Sequence, residues 1–106
     1  MKYYVFAEIQ ITDPSWLGPY VENVTRMVER HGGRYLARTP KIEKLEGDRP
    51  TPQVCLLIEW PSREVAMAFY QGDEYRPYLE SRIAGSVSEF SLIAGEDMTG
   101  AAHIAE

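Results

Sequence analysis

The first eleven residues alternate in a way that predicts a β-strand with two different faces. Even positions begin with the aromatic Tyr4 and Phe6 and become polar at Glu8 and Gln10. The odd positions are almost wholly apolar: Tyr3, Val5, Ala7, Ile9 and Ile11. Because successive side chains of a strand point to opposite faces, we expect the odd face to lie beneath helices.

Helical periodicity follows this strand. Asp13 is a typical helix cap, and Pro14 suits the first helical position. Since proline is unfavourable deep inside a helix, we expect Pro19 to begin the main helix after a separate short turn. Apolar positions then recur at helical spacing: Leu17, Tyr20, Val21, Val24, Met27, Val28 and His31. Glycines 32 and 33 favour a left-handed end to this helix.

Two strands are predicted in the middle of the chain. The segment 34–38 is a short strand, and 41–46 is a candidate continuation beyond a bend at Pro40. A turn with two prolines and a glycine follows over residues 47–52. The segment 52–60 is the most apolar of all, which favours a central strand. Its two faces carry Val54, Leu56, Ile58 and Trp60 on one side, and Cys55, Leu57 and Glu59 on the other.

The last part of the chain predicts two short helices and a strand. Ser62 caps the first of these helices, whose inward positions are Val65, Ala68 and Phe69. Asp73 caps the second, on which Tyr75, Leu79 and Ile83 share a face. Residues 86–94 form the final strand.

The resulting order of strand, helix, strand, strand, helix, strand is typical of an α+β, ferredoxin-like βαββαβ domain. This domain is expected to span residues 1–94 and to hold a four-stranded antiparallel sheet with its helices on one face. Residues 95–106 then form a tail that is either mobile or an arm against a partner. Apolar residues are expected on the open face of the sheet: Tyr4, Phe6, Cys55, Leu57, Phe90 and Leu92. An exposed apolar patch normally marks an interaction surface, so we expect a homodimer through this open face.

Composition narrows the classes of function. The 106 residues carry a formal net charge of −5, which speaks against partners such as nucleic acid or an anionic membrane. The single cysteine, Cys55, excludes an internal disulfide and a multi-cysteine zinc site and suits a reducing cytoplasm. His31 and His103 lack metal-site spacing, and there is no glycine-rich phosphate-binding or dinucleotide-binding motif, so no metal or cofactor is predicted. No run of about 20 apolar residues and no signal-peptide pattern is seen.

Four phrases in the sequence resemble one known family. The opening MKYYVFAEIQITDP, then ERHGGRYLAR, KIEKLEGD and IEWPSREVAMAFYQGDEYRPYLESR resemble the DUF1330 family of small bacterial proteins over about residues 1–94. The resemblance implies a dimeric α/β barrel in which two ferredoxin-like protomers oppose their sheets and enclose a cavity. The family has no generally established activity to carry over. Thr39-Pro40 and Gly18-Pro19 depart from its pattern.

Three basic residues near the end of the first helix are candidates for contacts with a ligand. His31 lies at the carboxyl end of that helix, where its charged form is stabilised, and it could bind an acid; a helix-terminal histidine bonded to the last carbonyls is the alternative. A regular strand directs Arg34 and Arg38 to one face, where guanidinium groups could hold a carboxylate. The alternative for these arginines is surface ion pairs with Glu43, Glu46 or Glu59.

The second group of candidates is aromatic. Arg82 follows Tyr75 and Tyr78 at helical spacing, so these side chains could line one side of a pocket. Trp60 and Tyr70 flank the same region. Related barrel enzymes that oxidise aromatic compounds without a cofactor use tryptophan, tyrosine and arginine in a comparable cavity, but the spacing here does not transfer their roles. The alternative is that these aromatic residues form core.

Three functions follow from this sequence. The first is a cytoplasmic homodimer that binds a small aromatic or carboxylate-bearing metabolite through His31, Arg34, Trp60, Tyr70, Tyr75 and Arg82. The second is a cofactor-independent enzyme, such as an oxygenase or isomerase. The third is a structural or regulatory dimer without a ligand. The sequence leaves open whether the protein is an enzyme.

Overall fold

The computed structural model describes residues 1–99. Four strands are formed: β1 (Tyr3–Ile11), β2 (Arg34–Thr39), β3 (Val54–Trp60) and β4 (Ser86–Ala94). Three helices accompany them: α1 (Leu17–Arg30), α2 (Arg63–Tyr70) and α3 (Arg76–Ala84). A short 3-10 turn, Pro14–Trp16, precedes α1.

The strands form one antiparallel sheet in the order β2-β3-β1-β4, which confirms the predicted ferredoxin-like α+β fold. Ala7 at the centre of the sheet lies opposite Leu56 of β3 and Phe90 of β4. The core forms where one face of the sheet meets the helices, and its members include Ala7, Ile9, Val24, Val28, Leu56, Ile58, Ala66 and Phe69. The odd face of β1 therefore lies beneath the helices, as its pattern predicts.

The start of α1 differs from the prediction by two residues. Asp13 caps the 3-10 turn, its Oδ1 accepting the Ser15 N–H at 2.9 Å. The helix then begins at Leu17, so Pro19 lies in its first turn rather than starting it. A proline is tolerated there because the first N–H groups of a helix have no partner within it. Gly32, at φ +94°, supplies the predicted left-handed end.

Three local expectations are wrong. Residues 41–46 form no strand. On α2 the buried alanine is Ala66, whereas Ala68 is exposed. On the face predicted for α3, Tyr75 and Leu79 do lie inward, but Ile83 is 60% exposed and its neighbour Arg82 is buried instead. Both helices are short, and in short helices a few apolar residues leave the orientation of the buried face undecided.

The register of β4 also corrects the expected open face. Phe90 pairs with Ala7 and Leu92 with Val5, which places both beneath the helices. The other face of β4 carries Val87, Glu89, Ser91 and Ile93. Because side chains alternate along a strand, a shift of one position exchanges the two faces completely.

The open face consists of three cross-strand rows. An arginine row holds Arg34, Glu59, Tyr4 and Ile93; an apolar row holds Ala37, Leu57, Phe6 and Ser91; an acidic row holds Thr39, Cys55, Glu8 and Glu89. Partial burial and the Glu8 carboxylate raise the pKa of the Cys55 thiol, so it stays protonated and unreactive. This face is thus apolar at its centre and charged on either side.

Within residues 1–99 no helix is long and apolar enough to cross a membrane. The same residues contain no group of three or more His, Cys, Asp or Glu side chains arranged to hold a metal ion. His103 and the end of the expected tail lie outside the described residues.

Gly85→Ala is expected to lower the free energy of unfolding by about 1–3 kcal/mol. An added Cβ would lie 2.5 Å from Trp16 Nε1 and 3.0 Å from the Asp13 carbonyl oxygen. The indole cannot move aside easily, because it is buried and donates a hydrogen bond to the Gly85 carbonyl at 2.9 Å. Urea unfolding measures the loss.

Gly18→Ala is the matched control for this substitution. Gly18 lies in the first turn of α1, and an added Cβ there would meet nothing within 4 Å. Alanine is the better helix former, so stability should rise by up to about 1 kcal/mol. A Gly85→Ala protein as stable as the wild type would contradict the close packing of Trp16 on Gly85.

Candidate ligand cavity

A cavity of about 430 Å³ lies between the sheet and the helices. Its floor comes from the helix-facing side chains of the sheet, including Val5, Ile9, Leu56 and Ile58. Its walls come from α1 and α2, including Leu17, Val24 and Met67. The volume and the mostly apolar lining are those of a site for a small organic molecule.

Aromatic side chains form one end of the cavity. The Phe69 ring lies 5.2 Å from the Trp60 ring and 4.7 Å from the Tyr75 ring, measured between centroids. Tyr70 continues this cluster at 5.9 Å from Tyr75 and is 37% exposed, so it lies towards solvent. These distances are those of aromatic rings that pack against one another.

Arg82 lies behind Tyr75 and is only 2% exposed. Its Nη1 donates to Ser88 Oγ at 2.8 Å, its Nη2 donates to Tyr75 Oη at 3.5 Å, and its guanidinium stacks over Phe90 at 3.8 Å. Within the described chain no carboxylate lies within 4 Å of it, and its Nε has no hydrogen-bond partner. A buried cation without a counter-ion is costly, so this arrangement calls for explanation.

Two tyrosine hydroxyls connect Arg82 to the cavity. Tyr20 and Tyr75 share a hydrogen bond of 2.6 Å between their hydroxyl oxygens. Burial raises the pKa of Tyr20 far above its usual value, so this group stays a neutral phenol and cannot serve as a base. Burial works to lower the pKa of Arg82, but Tyr75 and Tyr20 outweigh it and the pKa is raised, so the guanidinium keeps its charge.

Trp60 supplies a second buried donor. It is 1% exposed and borders the cavity, and its Nε1 has no hydrogen-bond partner. An unsatisfied buried N–H costs about 1–3 kcal/mol. Trp60 and Arg82 are therefore two buried residues with an unpartnered N–H, the first bordering the aromatic end of the cavity and the second behind it.

His31 and Arg34 lie away from the cavity. His31 caps α1, where its Nε2 is 3.2 Å from Glu74 Oε1 and its ring meets the edge of Phe69 at 5.6 Å. Arg34 lies on the open face with Nη2 3.6 Å from Glu59 Oε1, which is one of the ion pairs expected as the alternative. Of the six predicted binding residues, the structure thus brings Trp60, Tyr70, Tyr75 and Arg82 together.

Arg38 was expected on the same face as Arg34, and that expectation is wrong. The ladder between β2 and β3 shifts between Tyr35 and Ala37, which makes Leu36 the extra residue of a β-bulge. The bulge turns Arg38 to the helix side, where it borders the cavity. Sequence reasoning also missed Tyr20 as the partner of Tyr75. The only signal for Tyr20 was its position in the apolar stripe of α1, which predicts that it faces the core.

The structure is that of a ferredoxin-like α+β protein with a cavity between sheet and helices. The chain belongs to the family described as Domain of unknown function (DUF1330), whose model matches residues 2–96. A comparison of the sequence with curated proteins gave no match.

Solved structures share this fold at low sequence identity. The RPA0582 protein of unknown function from Rhodopseudomonas palustris is 14% identical with a TM-score of 0.77, covering 91% of this chain and 83% of that one. SnoaB, a cofactor-independent oxygenase from Streptomyces nogalater, is 13% identical with a TM-score of 0.63, covering 92% and 96%. An antibiotic biosynthesis monooxygenase is 16% identical with a TM-score of 0.51, covering 92% and 100%. At these identities the likeness establishes the fold alone.

Proposed function

We propose that this protein binds a small aromatic metabolite carrying an oxygen acceptor, such as a carboxylate, phenolic oxygen or carbonyl, in the cavity between sheet and helices. The observation that carries the proposal is the buried Arg82, which has no carboxylate partner in the described chain and stands behind an apolar cavity. Trp60, Tyr70, Tyr75 and Arg82 are its proposed binding residues. Arg82 does not itself border the cavity and would act through Tyr75, which does, whereas His31 and Arg34 lie outside the cavity against Glu74 and Glu59.

The two unpartnered donors explain why an oxygen acceptor is needed. Trp60 borders the cavity, and its unpartnered N–H would gain a partner from a ligand oxygen at the aromatic end. The same oxygen would accept from Tyr75, whose hydroxyl already receives Arg82 Nη2 at 3.5 Å. The positive charge behind Tyr75 then favours a ligand with negative charge at this end.

The surrounding rings explain why the ligand is aromatic. Phe69, Tyr70 and Tyr75 present ring faces and edges around one end of the cavity, and the rest of its lining is mostly aliphatic. A flat apolar molecule would bury its surface against these side chains, which is the main source of affinity in such sites.

Val21→Trp is expected to weaken binding at least tenfold by obstructing the mouth of the cavity. Val21 borders the cavity and is 42% exposed, so a larger side chain finds room without disturbing the core. The test is calorimetric titration of wild type and variant with 2-naphthol, 2-naphthoate and 6-hydroxy-2-naphthoate. Thermal unfolding provides a second readout, since a ligand at 100 times its dissociation constant stabilises a fold by about 2.7 kcal/mol.

Ile83→Trp is the matched control for Val21→Trp. Ile83 is 60% exposed on α3 and does not border the cavity, so the same aromatic residue there should leave affinity unchanged. If none of the three probes binds the wild type, or if they bind Val21→Trp equally well, the cavity is not a ligand site. The structural module without a ligand would then be favoured.

A second copy of the chain is the proposed partner of the open face. In the proposed dimer two sheets face each other, and a two-fold axis runs between them parallel to the apolar row. This symmetry sets the arginine row of one copy against the acidic row of the other. Glu8 and Glu89 lie directly opposite each other, which is unfavourable in one copy alone. Arg34 of the arginine row would offset that repulsion together with Lys2, whose Nζ lies 3.2 Å from Glu59 Oε1 of the same row. An apolar centre with a polar rim is also the usual anatomy of a protein interface.

The single thiol, Cys55, suits a cytoplasmic location.

A cofactor-independent oxygenase is the second candidate function. The observation favouring it is the Arg82–Tyr75 pair, which would stabilise the oxyanion of a deprotonated phenolic substrate and so make that substrate easier to oxidise by O2. SnoaB, which has this fold, is described as an enzyme of that class. Uptake of O2 with a phenolic or quinol substrate, without added metal, would favour the oxygenase. Binding without O2 uptake favours a binding protein.

A further inference from the structure

Arg38 occupies a distinct position at the β2 side of the cavity. Its Nη1 donates to Thr25 Oγ1 of α1 at 2.7 Å, and its guanidinium stacks over the Tyr35 ring at 3.9 Å. These two contacts hold the guanidinium in one orientation while leaving most of its five N–H groups free. The residue is exposed and also borders the cavity, so it stands where the cavity meets solvent.

Arg38 and Arg82 lie at opposite edges of the same sheet. Arg38 pairs with Leu56, Leu56 with Ala7, and Ala7 with Phe90, over which Arg82 stacks. Three steps between neighbouring strands span about 14 Å. Between the two cations the helix-facing side of the sheet carries only apolar side chains in this row. The cavity therefore has Arg38 at one end, Arg82 behind the other end, and a hydrophobic middle.

The charge of Arg38 is not neutralised by the chain. Among residues 1–99 no carboxylate oxygen lies within 4 Å of its guanidinium nitrogens. Glu29 of α1 is close enough to raise the pKa of Tyr35. Its carboxylate nevertheless lies more than 4 Å from the guanidinium nitrogens of Arg38. By contrast, Arg34 on the same strand is matched with Glu59, and Arg30 with Glu74.

We propose that Arg38 binds a carboxylate at the outer end of the ligand and thereby selects elongated aromatic acids. This inference rests on the proposed function and deepens it. The ligand would place an oxygen acceptor against Trp60 and Tyr75 at the inner end, lay its rings across the apolar floor, and present its acid to the fork of Arg38. Planar N–H pairs of arginine match the two oxygens of a carboxylate, which is why the charge of a lysine would be a poorer substitute.

The test compares three naphthalene probes with Arg38→Gln. The compound 6-hydroxy-2-naphthoate carries both polar ends, 2-naphthoate lacks the hydroxyl, and 2-naphthol lacks the acid. We expect 6-hydroxy-2-naphthoate to bind the wild type at least tenfold more tightly than 2-naphthol. We expect Arg38→Gln to remove that difference while leaving the affinity for 2-naphthol within about twofold.

Arg34→Gln is the matched control, because it makes the same change of charge on the same strand but on the open face. It should leave all three affinities unchanged. If the wild type binds 2-naphthol and 6-hydroxy-2-naphthoate equally, the role of Arg38 is wrong although the cavity still binds ligands. A uniform loss for all three probes in Arg38→Gln would make Arg38 a structural link between β2 and α1 and would also overturn the inference. Failure of every probe on the wild type would refute the proposed function itself.

Discussion

Arg82→Met is expected to weaken ligand binding about a hundredfold while leaving the free energy of unfolding unchanged or raised. Buried ion pairs replaced by apolar residues of similar size are often neutral or stabilising by about 1–4 kcal/mol, because the desolvation cost disappears. Arg82 lacks even a counter-ion in the described chain, so the same reasoning applies more strongly. Ser88 keeps a partner after the change, since its Oγ lies 3.0 Å from Ser86 Oγ.

The expected result for Arg82→Met separates binding from stability. Calorimetric titration with 6-hydroxy-2-naphthoate measures affinity, and urea unfolding without ligand measures stability. Arg76→Met, on the exposed side of the same helix, controls for the loss of charge and should change neither. Arg82→Lys keeps the charge without the planar fork and should lose part of the affinity. Unchanged affinity in Arg82→Met, with lower stability, would make Arg82 a purely structural residue.

Leu57→Arg is expected to convert a dimer into a monomer of 12.1 kDa. Leu57 lies in the apolar row. The proposed two-fold symmetry sets this row against the same row of the second protomer. Two arginines would then meet at the centre of the interface, where they repel each other and lose hydration. We expect the dimer dissociation constant to rise at least a thousandfold, or about 4 kcal/mol. Sedimentation at micromolar concentration measures the change.

Ile83→Arg provides the control for this result, because it adds the same charge at an exposed position on the helix layer. It should sediment as the wild type does. A wild type that sediments as a monomer at micromolar concentration, or a Leu57→Arg protein that remains dimeric, would show that the open face is not the interface.

Long periodic segments made the fold predictable. The bounds of β4 follow from its flanking glycines and its alternation, and the stripe of α1 gave Val24, Met27 and Val28 as core. Which face of β4 lies inward was not predictable from the strand alone, since Phe90, Leu92 and Ala94 lie on one face and Val87 and Ile93 on the other. Only pairing with Val5 and Ala7 of β1 decides that Phe90 and Leu92 go beneath the helices.

The candidate site was predictable where helical spacing governs it. Tyr75 and Arg82 are seven residues apart, or about two turns, and they do make contact. The bulge at Leu36 was not predictable, because no glycine or proline marks it. For the same reason the sequence placed Arg34 and Arg38 on one face and gave Arg34, not Arg38, as a binding residue.

The bulge in β2 has a consequence for the evolution of such proteins. If Leu36 instead took a regular place in the ladder, alternation would turn Arg34 and Arg38 to a common side of the sheet. The loss of this one irregularity in an edge strand would therefore remove the proposed acid-binding group from the cavity, without any change in the rest of the scaffold. Relatives that lack the bulge should differ in the compounds they accept.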